Sequence, residues 1–323
     1  MLMDWGSSYL KDGYLRIIMQ LGCRIYCHRD RSDFNIQRLL VFWVRALGHQ
    51  REVLELYRFF LSCKILKSLE SGNAIFYEQL GRHVFYYQST LLERKELIKH
   101  HFDFCRCKFF ADVLKKIYYD GRIQFWHQEF EGHMLSLGLD FRYVDRKEGL
   151  MTLDLMLSEK RVYHITFWFA INVRKEPCIY IGALQGSYGG REIIHKLTKN
   201  FFGYRPKNFI FYGVQLLAQK LDIQHIYAVS NHGFYTNNHV RLDKKLKTSL
   251  DGFWGELKGR SLEDKRFFEL PVKENRKSVE EIKAHKRNLY NKRYVFLDKL
   301  QCEFCNNMSK YISKNNYRIN TKL

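Results

Sequence analysis

Proline is nearly absent from this chain, with 3 residues in 323. That excludes long Pro-rich linkers and points to a compact body. Acidic residues are also few: 34 Asp and Glu stand against 54 Lys and Arg, a formal net charge of +20. Such an excess suits phosphates, anionic lipid headgroups or a phosphorylated cofactor, and solvation alone accounts for part of it. Long apolar runs are missing. The longest, Leu-Leu-Val-Phe-Trp-Val at residues 39–44, is far below the ~18–20 residues of a membrane span, so no transmembrane segment is expected. Asp4, Lys11, Asp12 and Arg16 interrupt the opening stretch, which therefore does not read as a secretory leader. Of the 8 cysteines, only Cys302 and Cys305 have zinc-type spacing, without a second such pair. No metal is expected, and the thiols fit a reducing compartment. The reading is cytoplasmic, with at most peripheral contact at the inner membrane.

Aromatic residues are plentiful, with 25 Phe and 21 Tyr, enough to fill a large core. The patterns change along the chain. Residues 1–32 are weakly patterned and expected to be irregular. Residues 33–120 read as mainly helical: 33–48 and 52–69 carry apolar residues at helical spacing, and Thr90-Leu91-Leu92-Glu93 has capping-box form. Residues 121–305 read as an α+β core. Short alternating runs begin at Arg122. Leu153, Leu155 and Leu157 then share one face while Thr152 and Asp154 share the other. Tyr163, Ile165, Phe167 and Phe169 alternate with Val162, His164, Thr166 and Trp168. Short connections between these runs predict a largely antiparallel sheet. Helices are expected over 191–202, 206–220, 241–258 and 278–300, with Gly203 as the left-handed residue ending the first, Pro206 opening the second and a Ser278–Glu281 capping box opening the last. Residues 306–323 are expected to fray. The fold class is thus α+β, a helical N-terminal half on a central, largely antiparallel sheet with flanking helices.

One turn carries the strongest chemical signal. Gln185-Gly186-Ser187-Tyr188-Gly189-Gly190-Arg191 follows a strand and opens a helix, so backbone amides and a helix N-terminus would meet an anion there. It is neither a Walker A loop nor a dinucleotide fingerprint. It is similar to the pyrophosphate loop of the GNAT acyltransferases, a Q/R-x-x-G-x-G/A run that cradles coenzyme A. The spacing departs by one residue, and a second helix intervenes before the next strand. Lys199, Arg205 and Lys207 add cations at two helix boundaries, giving a candidate anion site of Gln185, Gly186, Gly189, Gly190, Arg191, Lys199, Arg205 and Lys207. A coenzyme A thioester is the cofactor this pattern allows. Glu148, Asp251 and Glu256 are the acid–base candidates, weighed against ordinary salt-bridged carboxylates. From Val272 onward 13 Lys and Arg stand against 5 Asp and Glu, so the C-terminal helix is a candidate contact for an anionic surface.

Taken together, Glu148-Gly149 through Leu157, Val162-Tyr163-His164-Ile165-Thr166-Phe167, Ile181-Gly182-Ala183-Leu184-Gln185-Gly186, Leu197-Thr198-Lys199, Gly203-Tyr204-Arg205-Pro206-Lys207, Asp251-Gly252-Phe253-Trp254 and Lys286-Arg287-Asn288-Leu289-Tyr290 resemble the VirK/YbjX family of proteobacteria. Tyr204 and Leu250 depart mildly from its pattern. The resemblance implies a bacterial protein linked to virulence, envelope stress and antimicrobial peptide resistance, or to the biogenesis of a surface virulence factor. It brings no reaction and no catalytic residues. The partners it allows are a protein or envelope component and an anionic lipid surface; nucleic acid is not expected.

Overall fold

In the computed structural model the described residues are 5–26, 36–187, 190–238, 249–313 and 317. Helices come first: α1 (Trp5–Tyr26), α2 (Ile36–Gly48), α3 (Gln50–Leu61), α4 (Lys64–Gly72), α5 (Ile75–Gly81), α6 (Leu91–Lys108) and α7 (Ala111–Lys115). Where the sequence suggested irregular chain, α1 is a helix of 22 residues, and its Tyr14, Ile18, Leu21 and Ile25 are buried. The capping box forms as expected, with the Glu93 amide donating to Thr90 Oγ1 at 3.1 Å and the Thr90 amide to Glu93 at 2.7 Å. The single helix expected over 52–69 is two. Ser62 turns its hydroxyl back to the Phe59 carbonyl at 2.7 Å, and Cys63 is extended. A hydroxyl bonded to its own backbone competes with helix continuation.

Gly121, at φ 134°, marks the change from helix to sheet. The strands are β1 (Arg122–Phe130), β2 (His133–Asp140), β3 (Met151–Leu157), β4 (Lys160–Ile171), β5 (Pro177–Gly186), β6 (His225–Val229), β7 (Arg260–Ser261) and β8 (Phe267–Leu270). They form one sheet in the order β1-β2-β3-β4-β5-β6-β8-β7. All neighbours are antiparallel except β5 and β6. The parallel pair needs a crossover, supplied by α8 (Arg191–Asn200) and α9 (Pro206–Lys220). α10 (Leu250–Glu256) follows β6, and α11 (Arg287–Met308) closes the described chain. The expected helix over 241–258 is described only from residue 249, where Ser249 caps α10. The Ser278 amide does reach Glu281 at 2.8 Å, but the helix starts only at Arg287, after Ile282 has buried its side chain. Of the expected frayed tail, residues 314–316 and 318–323 lie outside the described residues, while Ile312 bridges to Phe109.

Pro206 is the first residue of α9. Gly203 has φ 77°, as expected of a glycine past a helix end, yet Phe202, at φ 54°, is the first left-handed residue. The Gly203 amide donates to Thr198 O at 2.8 Å and the Phe202 amide to Lys199 O at 3.0 Å, the paired bonds of a Schellman motif. Arg293 holds the strained Phe202 by donating from Nε and Nη2 to its carbonyl at 3.0 and 2.9 Å.

Candidate functional site

Successive strand residues leave opposite faces of a sheet. One face carries Leu137, Leu153 and Ile165 against α9, where a Cβ on Gly213 would come within 2.9 Å of Leu137 and Leu153. The opposite face is polar and just as buried. Its cross-strand rows are Gly138, Asp154, His164 and Gln185, and Asp140, Thr152, Thr166 and Ala183. Asp140, Thr152, Asp154, His164 and Thr166 are all buried. Arg122 donates to Asp154 at 2.6 Å, and Arg142 spans Asp140 at 2.6 Å and Asp154 at 3.1 Å. Buried charges require such pairing. Burial and the neighbouring Asp154 nonetheless push the Asp140 carboxyl up.

The chain between β2 and β3 lies over this face and brings Asp145 and Glu148 to it. α5 clamps it there. Gln79 Nε2 donates to the carbonyls of Arg146 at 2.6 Å and Gly149 at 3.3 Å, and Arg146 pairs with Glu78 at 3.2 Å. The Phe85 amide donates to Lys147 O at 2.8 Å. Glu148 is buried; its Oε1 accepts from the exposed Gln185 Nε2 at 2.6 Å, and its Oε2 has no partner among the described residues. Burial, then the charge of Asp145, push the Glu148 carboxyl up to about 8. Arg161 Nη2 lies 2.8 Å from Asp145 Oδ2 as a charge contact without hydrogen-bond alignment, and His164 Nε2 lies 3.6 Å from Asp145 Oδ1. Burial, then Arg161, lower His164 to about 4, so it is neutral near pH 7.

Glu148 stands beside an irregularity of the central strands. Thr166 pairs with Ala183 and Phe167 with Ile181, which leaves Gly182 as the extra residue of a bulge on β5. Bulges of this kind re-aim side chains and occur near active sites. Gly182 is required: a Cβ there would overlap the Glu148 carbonyl oxygen and meet Trp168 at 2.9 Å. The pairing of β5 with β6 ends at Ile181 and Ala228. β5 continues to Gly186 along β4, while Val229 of β6 continues along β8. The parallel ladder therefore ends next to the bulge, and β5 runs on through Gln185 past the end of β6.

Beyond the end of β5 the Gly-rich turn leads into α8. Gly190 is its N-cap residue and Arg191 its exposed first residue. Gly189, with Tyr188, lies outside the described residues. A cleft of about 580 Å³ lies beside the turn, lined by Lys160, Arg161, Ser187, Gly190 and Lys196 among others. Gly186 packs against the Tyr163 ring. Arg205, at the N-cap of α9, is close enough to act electrostatically on Tyr163, but its guanidinium pairs with Glu256, which Lys207 also approaches at 3.5 Å. Tyr163 and His164 leave opposite faces, so Arg205 and Lys207 approach one face of the sheet while Gln185 and Glu148 meet on the other. Lys199 is exposed in the last turn of α8. Glu256, held down by its bond from Arg205, is poorly suited to take a proton. Asp251 accepts from the Asn231 amide at 2.7 Å and so fixes the start of α10. Sequence reasoning missed Asp145, Arg161 and Gln79; the polar alternation of His164 and Thr166 in an otherwise apolar strand was the available signal.

An α+β protein with a parallel switch in an antiparallel sheet, and a buried carboxyl at that switch, is the class these observations define. Residues 31–306 match the family described as "Protein of unknown function (DUF535)", and the chain belongs to that family. It is 30% identical over 175 residues to the uncharacterized protein YbjX of Escherichia coli K12, covering 53% of this chain and 52% of that one. An uncharacterized protein of Haemophilus influenzae is 28% identical over 169 residues, 51% of this chain and 55% of the relative. The chain thus spans about half the length of the curated relatives it matches. Kinship with YbjX accords with the VirK/YbjX resemblance. No solved structure matches.

Proposed function

We propose that this chain is an acyltransferase of the GNAT type, using an acyl-CoA or acyl-ACP thioester. The observation that carries the reading is the end of the β5–β6 ladder beside the Gly182 bulge, with a Glu148 carboxyl oxygen that has no partner among the described residues at one face and the Gly-rich turn beyond the end of β5. Ligands of open sheets bind outside the carboxyl ends of strands where connectivity switches. β5 beyond Ile181 has no β6 partner, which leaves an edge for an extended amide-bearing arm. Ser187, Gly190, Arg205 and Lys207 are the residues that would receive its phosphates, and the thioester supplies an activated carbonyl. Glu148, in the ionised fraction that grows as pH rises toward 8, would take the proton from an attacking amine or hydroxyl as that group bonds to the thioester carbonyl carbon. The C–S bond would break, and the thiolate would leave with the proton as free thiol. Gln185 would orient Glu148, and Gln79 would hold its loop. The relatives' names carry no activity, so the reading rests on fold and site alone. The setting is the one implied by the family resemblance: support of the bacterial envelope, tolerance of antimicrobial peptides or biogenesis of a surface virulence factor, through acylation of an envelope or protein component.

The test is thermal unfolding with acyl-CoA species of graded chain length, followed by turnover with acyl-CoA or acyl-ACP and free-thiol detection. A ligand at ~100 times its Kd adds ~2.7 kcal/mol, easily seen as a rise in Tm. Glu148→Gln should keep that rise and lose thiol release. Absence of any rise at millimolar acyl-CoA, together with no thiol release from acyl-ACP, sinks the reading.

A further inference from the structure

Soluble helices bury one apolar stripe and show a polar one to water. α2 does not follow this. Leu39, Phe42 and Ala46 are buried, yet Ile36, Leu40, Val41, Val44 and Leu47 on the remaining surface are exposed, Val44 by 70%. Ile36, Leu40, Val44 and Leu47 fall at spacings of 4, 4 and 3, which places them in one line along the helix. α1 packs against α2 and adds the exposed Leu15 and Met19. Seven of the large exposed apolar side chains thus sit on two adjoining helices. Scattered exposed Leu or Val residues need no explanation, but a contiguous set marks an interaction surface.

Basic residues predominate on the two helices that carry the stripe. Residues 13–26 and 36–51 contain five arginines and no Asp or Glu. That is far from the ratio of the whole chain, 54 basic to 34 acidic residues. Arg24 pairs with Glu70 of α4 and Arg51 with Glu55 of α3, while Arg16 and Arg45 are exposed, Arg45 donating to the neutral Gly81 carbonyl. A second copy of this face would bring the exposed Arg16 and Arg45 against their own counterparts, which opposes a two-fold dimer. The complement of aliphatic side chains framed by arginines is an apolar layer bearing negative charge at its border. Among the described residues no helix is long and apolar enough to cross a membrane, so the contact is one of surface insertion.

We infer that the α1–α2 face docks on an anionic lipid bilayer, with Leu40, Val44 and Leu47 entering the acyl boundary and Arg16 and Arg45 meeting lipid phosphates. The sequence had suggested the basic C-terminal helix for such a role. That helix lacks a comparable apolar stripe: Leu297, Leu300, Phe304 and Met308 are buried, and Arg293 is engaged with Phe202.

The test is flotation of the full chain with vesicles of phosphatidylcholine alone and with added phosphatidylglycerol. Binding is expected only to the anionic vesicles and should weaken with salt. Leu40→Asp/Val44→Asp should cut partitioning by about tenfold or more. The two sites are at least half exposed, so circular dichroism and Tm should stay those of wild type. Arg16→Glu supplies a second variant at an exposed position and should weaken binding only to anionic vesicles. Equal binding of wild type and Leu40→Asp/Val44→Asp overturns the inference. So does wild type that ignores vesicles, and so does a dimer in light scattering that Leu40→Asp/Val44→Asp dissociates without any lipid binding.

Discussion

Glu148→Gln should stabilise this protein, and increasingly so as pH rises. The Glu148 carboxyl has an ordinary value of 4.5, which the native surroundings raise to about 8. Below pH 4.5 both native and unfolded chains hold the proton. Between 4.5 and 8 the unfolded chain has released it and the native one retains it. The native state then binds more protons, so its stability falls as pH climbs through that window and levels off above it. At ~1.36 kcal/mol per pH decade, the 2.5 decades from 4.5 to 7 correspond to about 3 kcal/mol at pH 7, and the whole window to about 5. Glutamine keeps the shape of the neutral acid and can still accept from Gln185, but it does not ionise. His164, lowered from 6.5 to about 4, acts in the opposite sense, since stability rises with pH across its own window. The two slopes oppose each other from pH 4.5 to 6.5, so the wild-type profile alone is a poor test. The difference between variant and wild type cancels His164. Urea unfolding of both chains at pH 5, 6, 7, 8 and 9 measures it. The difference should be small at pH 5, about 3 kcal/mol in favour of glutamine at pH 7, and flat beyond 8. A difference that does not change with pH would refute the claim that this buried carboxyl stays protonated in the native state.

Gly203→Val should destabilise by about 1–2 kcal/mol or more, because φ 77° suits no β-branched residue and its Cβ would meet Arg293 Nη2 at 2.9 Å; an unchanged urea midpoint would count against it. Gly182→Ala should lower Tm and remove the acyl-CoA response together, since the new methyl must displace the Glu148 carbonyl; a variant with wild-type Tm would mean that the bulge accommodates it. Arg205→Ala should leave stability close to wild type, its ion pair with Glu256 being half exposed, and should weaken acyl-CoA binding. Calorimetric titration of that variant separates the two effects, and unaltered affinity would remove Arg205 from the site.

Local signals in the sequence were read well where the chemistry is local. The Thr90 capping box, Pro206 at the start of α9 and the alternation of β3 and β4 need only neighbours in the chain, and each stands as expected. Failures came where distant contacts decide. Ser278 and Glu281 make their bond, but burial of Ile282 outweighs helix propensity and the helix waits until Arg287. Gly203 is left-handed as expected, but Phe202 before it is left-handed too, its carbonyl bonded by Arg293, ninety-one residues away. The candidate site was legible in part. Glu148 and Gln185 were both named, yet nothing in their spacing of thirty-seven residues foretold a 2.6 Å bond. Arg205 and Glu256 were also named, and they pair with each other rather than with Gln185.

The polar face of the sheet explains why the helical half matters to any chemistry here. Polar side chains alternate onto one face of β3 and β4, the pattern of an antiparallel sheet with a solvated face. Instead Asp154 is fully buried and Thr152 and Thr166 nearly so, under chain that carries no regular strand or long helix of its own. Such a segment holds its place only through outside partners. Those partners are in the N-terminal helices and the chain after them: Glu78 and Gln79 of α5, and the Phe85 amide. Gln79 closes two backbone carbonyls at once, and each would otherwise be a buried acceptor without a donor, at a cost of ~1–3 kcal/mol. The sheet supplies Gln185, His164 and the Gly182 bulge, and α5 supplies the position of Glu148. Neither half contains the site alone. The composition change near residue 121 therefore marks a change of secondary structure, while the buried carboxyl belongs to the seam between the two parts.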